Sequence, residues 1–559
     1  MFLINLAVFL SAAAAISYEI IGGSILTILL GSSIFYFSLT IGVFLAALGI
    51  GGWLSSRFEQ ALEEKLALMA ALLALLGGLS AFFIFGSYVF IFEFLRNITF
   101  GSVFGFLSGL GLAQIFFSVV ALSFLFAVGI LAGLLLPLFS RIVAEKLSLK
   151  DALGKVFFWD YAGALVVSIL LPIILFPILG IIKASFLMGI INALAALATA
   201  MFMSRMKIKI RPILALFVMA VFIVNILGFF SGSLIESFLE KKQYGDREIL
   251  YRSQSPYQRF SFLEDKESGK ISLYINGQRQ FESGEWDAVY HETFVHPAMA
   301  LKQSAKDLNI LILGGGDGLA LREILKYENV SKATLVDIDS ALVLAAKNLG
   351  AVRKLNSNAF YDPRVKIVFN DAFKFVEGEN DLYNIIFIDF PDPTDDGLAR
   401  LYSKEFYLTL KNVLRANGIV ITQSGGYMTE NQKIILLTME AAGFKTLAFH
   451  PPFYDLLDQN FGFTLASESK ISASDFDGLL IAADTRIFND RRLNEIFATM
   501  PIPRDNGEVK VNSIFHPSIV GSGGFAVHYL ESLPSEKILA QINLPEEKSR
   551  QDFKRMFYE

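Results

Sequence analysis

Two hydrophobic patterns divide the chain. Through residue 232, apolar residues run in blocks long enough to cross a hydrocarbon layer, which takes about 20 residues as a helix. These blocks lie near 2–30, 34–54, 66–92, 113–139, 157–180, 183–203 and 212–231, which predicts seven spans. The apolar but Gly-rich stretch 97–114 fits a re-entrant segment, an interfacial helix or the start of one very long helix. The first block has neither the basic start nor the small-residue cleavage site of a signal peptide, so it reads as a retained span. From Ser231 to Tyr257 the pattern turns polar. Beyond it, two alternating runs split by Glu267-Ser268-Gly269-Lys270 predict a β-hairpin. Short apolar runs at 308–313, 333–336, 365–369, 385–388, 418–422 and 445–449 then alternate with helical stretches. That alternation is the mark of a parallel sheet covered on both faces.

The predicted architecture is therefore a multi-span α-helical membrane bundle followed by a small β-region and an α/β Rossmann-like domain of the class I methyltransferase-like kind. Its divisions are a helical domain over 1–232, a linker over 233–256, a β-region over 257–300, a Rossmann-like domain over 301–470 and a C-terminal extension over 471–559.

Charge sharpens this division. Residues 1–232 hold 12 of the 48 Lys and Arg and 8 of the 53 Asp and Glu, which leaves 36 basic and 45 acidic residues, a net −9, for the rest. An acidic body with no arginine stripe argues against nucleic acid and suits a small cationic ligand. The absence of Cys excludes disulfides, zinc–thiolate sites, iron–sulfur clusters and cysteine nucleophiles. Within the apolar half, Glu19, Glu93 and Asp160 are candidates for a cation path or for carboxylates paired between helices. The loops at 141–155 and 205–211 are the most basic and belong on the cytoplasmic side by the positive-inside rule. A spanning 212–231 then puts the C-terminal body outside.

The chemistry starts where the first parallel strand ends, at Gly314-Gly315-Gly316-Asp317-Gly318. Glycines there let a backbone approach a ligand, and Asp337, at the end of the next strand, can hold the two hydroxyls of a ribose. Position 319 is Leu, so the third glycine of a dinucleotide fingerprint is missing. Asp317 inside the loop would repel a pyrophosphate or an α-carboxylate and attract an ammonium, its rival role being to cap the next helix. A fourth strand runs into Asp389-Phe390-Pro391-Asp392, placing both acids at a carboxyl end, where ligands of such sheets bind. A carboxylate beside an attacking amine can take its proton while a second holds the distal ammonium. Asp371 lies where an adenine amino group could be hydrogen-bonded, with helix capping as the alternative.

Taken together, GGGDG, VDID, DPRVKIVFNDAFKF and YNIIFIDFPDP resemble the spermidine synthase family of aminopropyltransferases, and the N-terminal helices are similar to those of its membrane-fused bacterial members. The resemblance implies transfer of the aminopropyl group from decarboxylated S-adenosylmethionine, a co-substrate, to putrescine or a related diamine. It implies no metal and no redox cofactor. It implies Asp389 as proton acceptor and Tyr257, His291, Asp317 and Asp392 as the amine site. Gln258, Gly314, Gly315, Gly316, Asp337, Asp371 and Ala372 would hold the nucleoside. The implied partners are small amines, the donor and a lipid bilayer, with no nucleic acid and a homo-oligomer left open. Because this donor is expected in the cytosol, the chemistry puts the soluble domain there, against the loop charges.

Three departures touch the acceptor side and the lid more than the transferred group. The acidic pair expected before Tyr290-His291-Glu292 is displaced, leaving Glu285 or Asp287 to substitute. Thr394-Asp395-Asp396-Gly397 replaces the common Gly-Pro of the lid, and Phe461-Gly462-Phe463 stands where Trp-Gly-Phe is frequent. The expected function is a membrane-tethered aminopropyltransferase. The alternatives are a polyamine transporter or sensor with a catalytically silent synthase-like module, and a methyltransferase using ordinary S-adenosylmethionine.

Overall fold

A computed structural model describes residues 1–30, 33–98, 112–205, 211–245, 247–276, 278–393, 396–426, 429–451, 461–496 and 510–519. The chain forms two units, residues 1–247 with 254–256, and residues 248–253 with 257–559.

The first unit is built mainly of helices: α1 (Phe2–Leu30), α2 (Ser33–Ser55), α3 (Leu62–Gly78), α4 (Ser80–Ile98), α5 (Leu112–Ala144), α6 (Leu149–Leu170), α7 (Phe176–Arg205) and α8 (Pro212–Tyr244). Among them, five stretches are long and apolar enough to cross a membrane. A sixth results if α3 and Ser80–Phe92, bent by 42°, count as one. The bend falls at Gly77-Gly78-Leu79-Ser80, a helix-weakening run. The Ser185 hydroxyl reaches the carbonyls of Gly77 (3.0 Å) and Gly78 (2.9 Å), satisfying groups that the break frees. The longest stretch, Leu149–Met203, passes through a π-helical turn at Leu171–Leu175 and is broken at Gly180 (φ +73°). That break separates the two spans predicted at 157–180 and 183–203. Glu19 and Asp160 are partly buried. The Glu93 side chain and most of the stretch 97–114 lie outside the described residues.

The polar stretch 233–256 is more ordered than a linker. Helix α8 runs on to Tyr244, and strand β1 starts at Glu248.

The second unit opens with an antiparallel sheet in the order β1 (Glu248–Gln254), β2 (Arg259–Glu264), β3 (Ile271–Ile275) and β4 (Gln278–Glu282). The predicted hairpin is β2–β3. Helix α9 (Glu285–Ala300) occupies the rest of the segment read from sequence as a β-region.

The main sheet follows the order β10 (Lys445–Phe449), β11 (Phe463–Ser467), β9 (Leu414–Gln423), β8 (Tyr383–Asp389), β5 (Leu308–Gly314), β6 (Val330–Asp337), β7 (Val365–Phe369). Its central strands are buried on both faces because their alternate residues feed two cores. Ile310, Ile312, Ile385 and Phe387 enter one, and Leu311, Leu313, Ile386 and Ile388 the other. Each fully buried aliphatic side chain contributes about 1.5–3 kcal/mol, so an Asp at 312 would break the sheet at its centre. One strand departs from the parallel pattern: β11 runs antiparallel to both β9 and β10. Strand order reverses between β5 and β8, and in open α/β sheets ligands bind at the carboxyl ends of such strands.

Candidate active site

Gly314 and Asp389 end β5 and β8 directly opposite each other. The two backbones approach so closely that a Cβ on Gly314 (φ +84°) would lie 2.2 Å from the Asp389 carbonyl oxygen. The Gly315 N–H donates to that same oxygen at 3.2 Å. On the other side of the loop, a Cβ on Gly316 would fall 2.6 Å from Asp337 Oδ2. The glycine loop thus threads between two carboxylates with no room for a side chain.

Helix α10 (Leu319–Ile324) follows the loop. Asp317 Oδ1 accepts the Leu319 N–H at 2.9 Å, so the capping role does exist. Its charge still acts on both neighbours. Burial pushes Asp389 up to about 6, with Asp317 adding to the shift and His291 and the Tyr290 hydrogen bond opposing it. Burial likewise pushes Asp337 up to about 7, and the charges of Asp339 and Asp317 raise it further.

Helix α9 brings the next two groups. The Tyr290 hydroxyl donates to Asp389 Oδ1 at 2.8 Å. Burial and the Asp389 charge hold that phenol well above its ordinary value, so it stays a donor. Its ring packs edge-on against Phe461 (5.0 Å) and Phe463 (5.3 Å), the pair flanking Gly462. His291 Nδ1 lies 2.8 Å from the Asp287 carbonyl oxygen. A carbonyl only accepts, so Nδ1 carries the proton and Nε2 is the nitrogen left for a ligand.

The remaining predicted residues spread around this centre. Asp392 is exposed, and its Oδ1 accepts from Gln423 Nε2 at 2.6 Å. Gln258 Nε2 donates to Asp339 Oδ2 at 2.9 Å, not to Asp337. Asp339 in turn caps helix α11 (Ser340–Asn348). Asp371 caps helix α12 (Ala372–Gly378), with Ala372 buried at its first position, and it also pairs with Arg400. Tyr257 is 56% exposed. Glu285 is exposed, and Asp287 is buried against Arg322 and Arg486. The latter is therefore already neutralised and cannot replace the missing member of an acidic pair.

Known proteins place the chain in a family. Residues 287–459 match the spermine/spermidine synthase domain. A protein from Leptospira interrogans named polyamine aminopropyltransferase is 32% identical over 92% of this chain and 96% of its own length. A protein of the same name from Oceanobacillus iheyensis is 32% identical over 90% and 93%. This chain belongs to the polyamine aminopropyltransferase family. A further relative, polyamine aminopropyltransferase 2 from Ralstonia nicotianae, is 32% identical over 93% of this chain and 96% of its own length. Among solved structures, a spermidine synthase in complex with the transition-state analogue AdoDATO aligns at 24% identity, covering 45% of this chain and 85% of that one, with a TM-score of 0.40.

Sequence reasoning about this aminopropyltransferase passed over four of the contacts above, those made by Tyr290, Asp339, Arg400 and Gln423. Tyr290 adjoins the predicted His291, and Asp339 is the second acid of VDID. Gln423 ends β9, the strand beside β8, so the carboxyl-end rule would have found it. Arg400 has no comparable signal.

Proposed function

We propose that the enzyme transfers the aminopropyl group of decarboxylated S-adenosylmethionine to putrescine or a related diamine, yielding a spermidine-type polyamine and methylthioadenosine. The observation that carries this reading is the half-buried Asp389 carboxylate at the end of β8, pushed up to about 6 and set against a glycine loop that itself contains an acid. Such a place favours cations, and a base of that strength suits an amine nucleophile.

In this reading the amine loses a proton to Asp389 and its nitrogen lone pair attacks the aminopropyl carbon next to sulfur. A C–N bond forms and the C–S bond breaks. The bonding pair returns to sulfur, so the sulfonium leaves as a neutral thioether. The protein's electrostatic work is to hold cations and receive one proton. Asp317 attracts the donor's ammonium, and a free Nε2 of His291 accepts from the amine. Asp392 and Tyr257 line the acceptor side. Gly314 to Gly316, Asp337, Gln258, Asp371 and Ala372 form the nucleoside side. The residues named need neither metal nor redox cofactor for this displacement.

The apolar helices tether the enzyme to a membrane, and the donor's origin puts the catalytic unit in the cytosol. Protease accessibility in intact cells tests that placement, cleavage from outside overturning it. The activity itself is tested by incubating the full chain with labelled donor and a panel of amines. Labelled polyamine with stoichiometric methylthioadenosine is the expected result. Tight donor binding with no transfer to any amine would favour a sensor over an enzyme.

A further inference from the structure

Helix α9 carries Tyr290 and His291 and, within the same two turns, the buried acids Asp287 and Glu292. Both acids are gripped by a segment that lies 194 residues or more further along the chain. Glu292 accepts the backbone N–H groups of Arg486, Ile487 and Phe488, each at 2.9 Å. Three successive N–H groups on one carboxylate form a short strap across the helix. The Arg486 side chain adds a second grip, with Nη2 2.7 Å from Asp287 Oδ1 and Nη1 3.3 Å from Oδ2. Arg322 Nη2 reaches Asp287 Oδ1 from α10 at 2.8 Å, and the Gly284 N–H reaches Oδ2 at 2.8 Å.

A cavity of about 450 Å³ opens beside this cage, with Arg322, Lys326, Lys354 and Arg486 in its wall. Three of these cations already face carboxylates, Arg322 and Arg486 that of Asp287 and Lys326 that of the buried Glu323 on α10. The cavity is thus the open flank of the ion-pair network, and the network's load falls on α9.

We propose that Arg486 is a positioning residue for the amine step. It fixes Asp287, whose carbonyl fixes the His291 ring, and the strap on Glu292 prevents α9 from sliding or turning. The two grips bracket Tyr290 and His291 in sequence. Because Tyr290 bonds Asp389 directly, one helix sets both the ring that meets the amine and the donor that steadies the base. The nucleoside side is held by other elements: β5 and its loop, β6, and the start of β2. Loosening α9 therefore harms the acceptor selectively. Misplacing a reacting group by about 1 Å can cost about 10²-fold in rate.

This inference rests on the function proposed above, and the test separates the two. Initial rates are measured for the full chain, Arg486→Met and Arg486→Lys, varying putrescine at saturating donor and donor at saturating putrescine. In Arg486→Met the KM for putrescine should rise by about 10-fold or more, with the KM for the donor unchanged. In Arg486→Lys a single ammonium can serve only one of the two acids, so a smaller rise in the same direction is expected. Should Arg486→Met fail to fold, the lysine variant decides. An unchanged KM for putrescine, or a parallel rise for both substrates, would overturn the positioning role. No transfer by the unaltered chain would instead overturn the proposed activity.

Discussion

Asp337, buried, and Asp389, half-buried, at the carboxyl ends of the strands have no Lys or Arg paired with them among the described residues, and their pKa values are pushed up to about 7 and 6. Asp287 and Glu323 are buried more deeply still, yet both sit below the usual carboxylate range. Burial alone would raise them. At Asp287 the Arg486 hydrogen bond and the Arg322 charge outweigh it, and at Glu323 the His296 hydrogen bond, Arg322 and Lys326 do so. Depth of burial thus does not decide the electrostatics: the most deeply buried acids are the most acidic, and the difference is whether the fold supplies the cation. A buried acid that is already neutralised holds the structure together. One left without a cation favours a positively charged ligand, which is what an aminopropyl donor and an amine acceptor bring.

The strongest way to break this contrast is to remove a charge from the neutralised set. Glu323→Gln leaves Arg322 and Lys326 facing a neutral group, and loss of one member of a buried ion pair typically costs about 3–5 kcal/mol. Thermal unfolding of the full chain should show that loss. Asp337→Asn should move the other way and raise the midpoint, because it removes an uncompensated charge.

Next in size is the proposed base. Asp389→Asn should lower turnover by about 10²-fold or more while calorimetry still detects the donor. Unimpaired turnover would strip the unpaired set of its chemical meaning.

Acidity separates the two sets as well. As the proposed base, Asp389, pushed up to about 6, must be ionised to act, so kcat/KM should climb as pH rises through about 6. Tyr290→Phe removes a hydrogen bond that favours the carboxylate, so this acid limb should move to higher pH, with turnover falling by roughly 10-fold. A limb that stays in place would show that the phenol does not tune Asp389.

Stability should follow the same division. The folded pKa values of Asp337 and Asp389 lie above their unfolded values, so the stability they contribute is present in acid and lost as pH rises through about 6 to 7. Asp287 and Glu323 are depressed, so their contribution is lost only as pH falls below the ordinary carboxylate range.

The smallest expected effect is proton release. A cationic donor favours the ionised form of Asp337 and Asp389, so binding near pH 6.5 should release protons, on the order of one or fewer. Calorimetry in buffers of different ionisation enthalpy measures this. Zero release would argue that the donor's charge is held elsewhere.

Much of this was legible before any fold was in view. Apolar blocks located the helices, and short apolar runs located six strands of the main sheet. The glycine loop, Asp337 and Asp389 could be placed because each follows a strand within one or two residues, and the carboxyl ends of strands are where ligands bind. Asp317 was legible both as an acid in the loop and as a cap, and the capping contact is present. The bend at Leu79 and the antiparallel insertion of β11 were not, since each depends on what packs alongside.

What the sequence determined by itself is therefore local: periodicity sets helix or strand, and spacing sets which acids reach the ends of strands. Tertiary structure alone decided which acids are neutralised. Asp287 meets Arg486 from 199 residues away, and Tyr290 meets Asp389 from 99. The physical reason is that a carboxylate's character comes from the cations and the water left around it after folding. Chain separation says nothing about either.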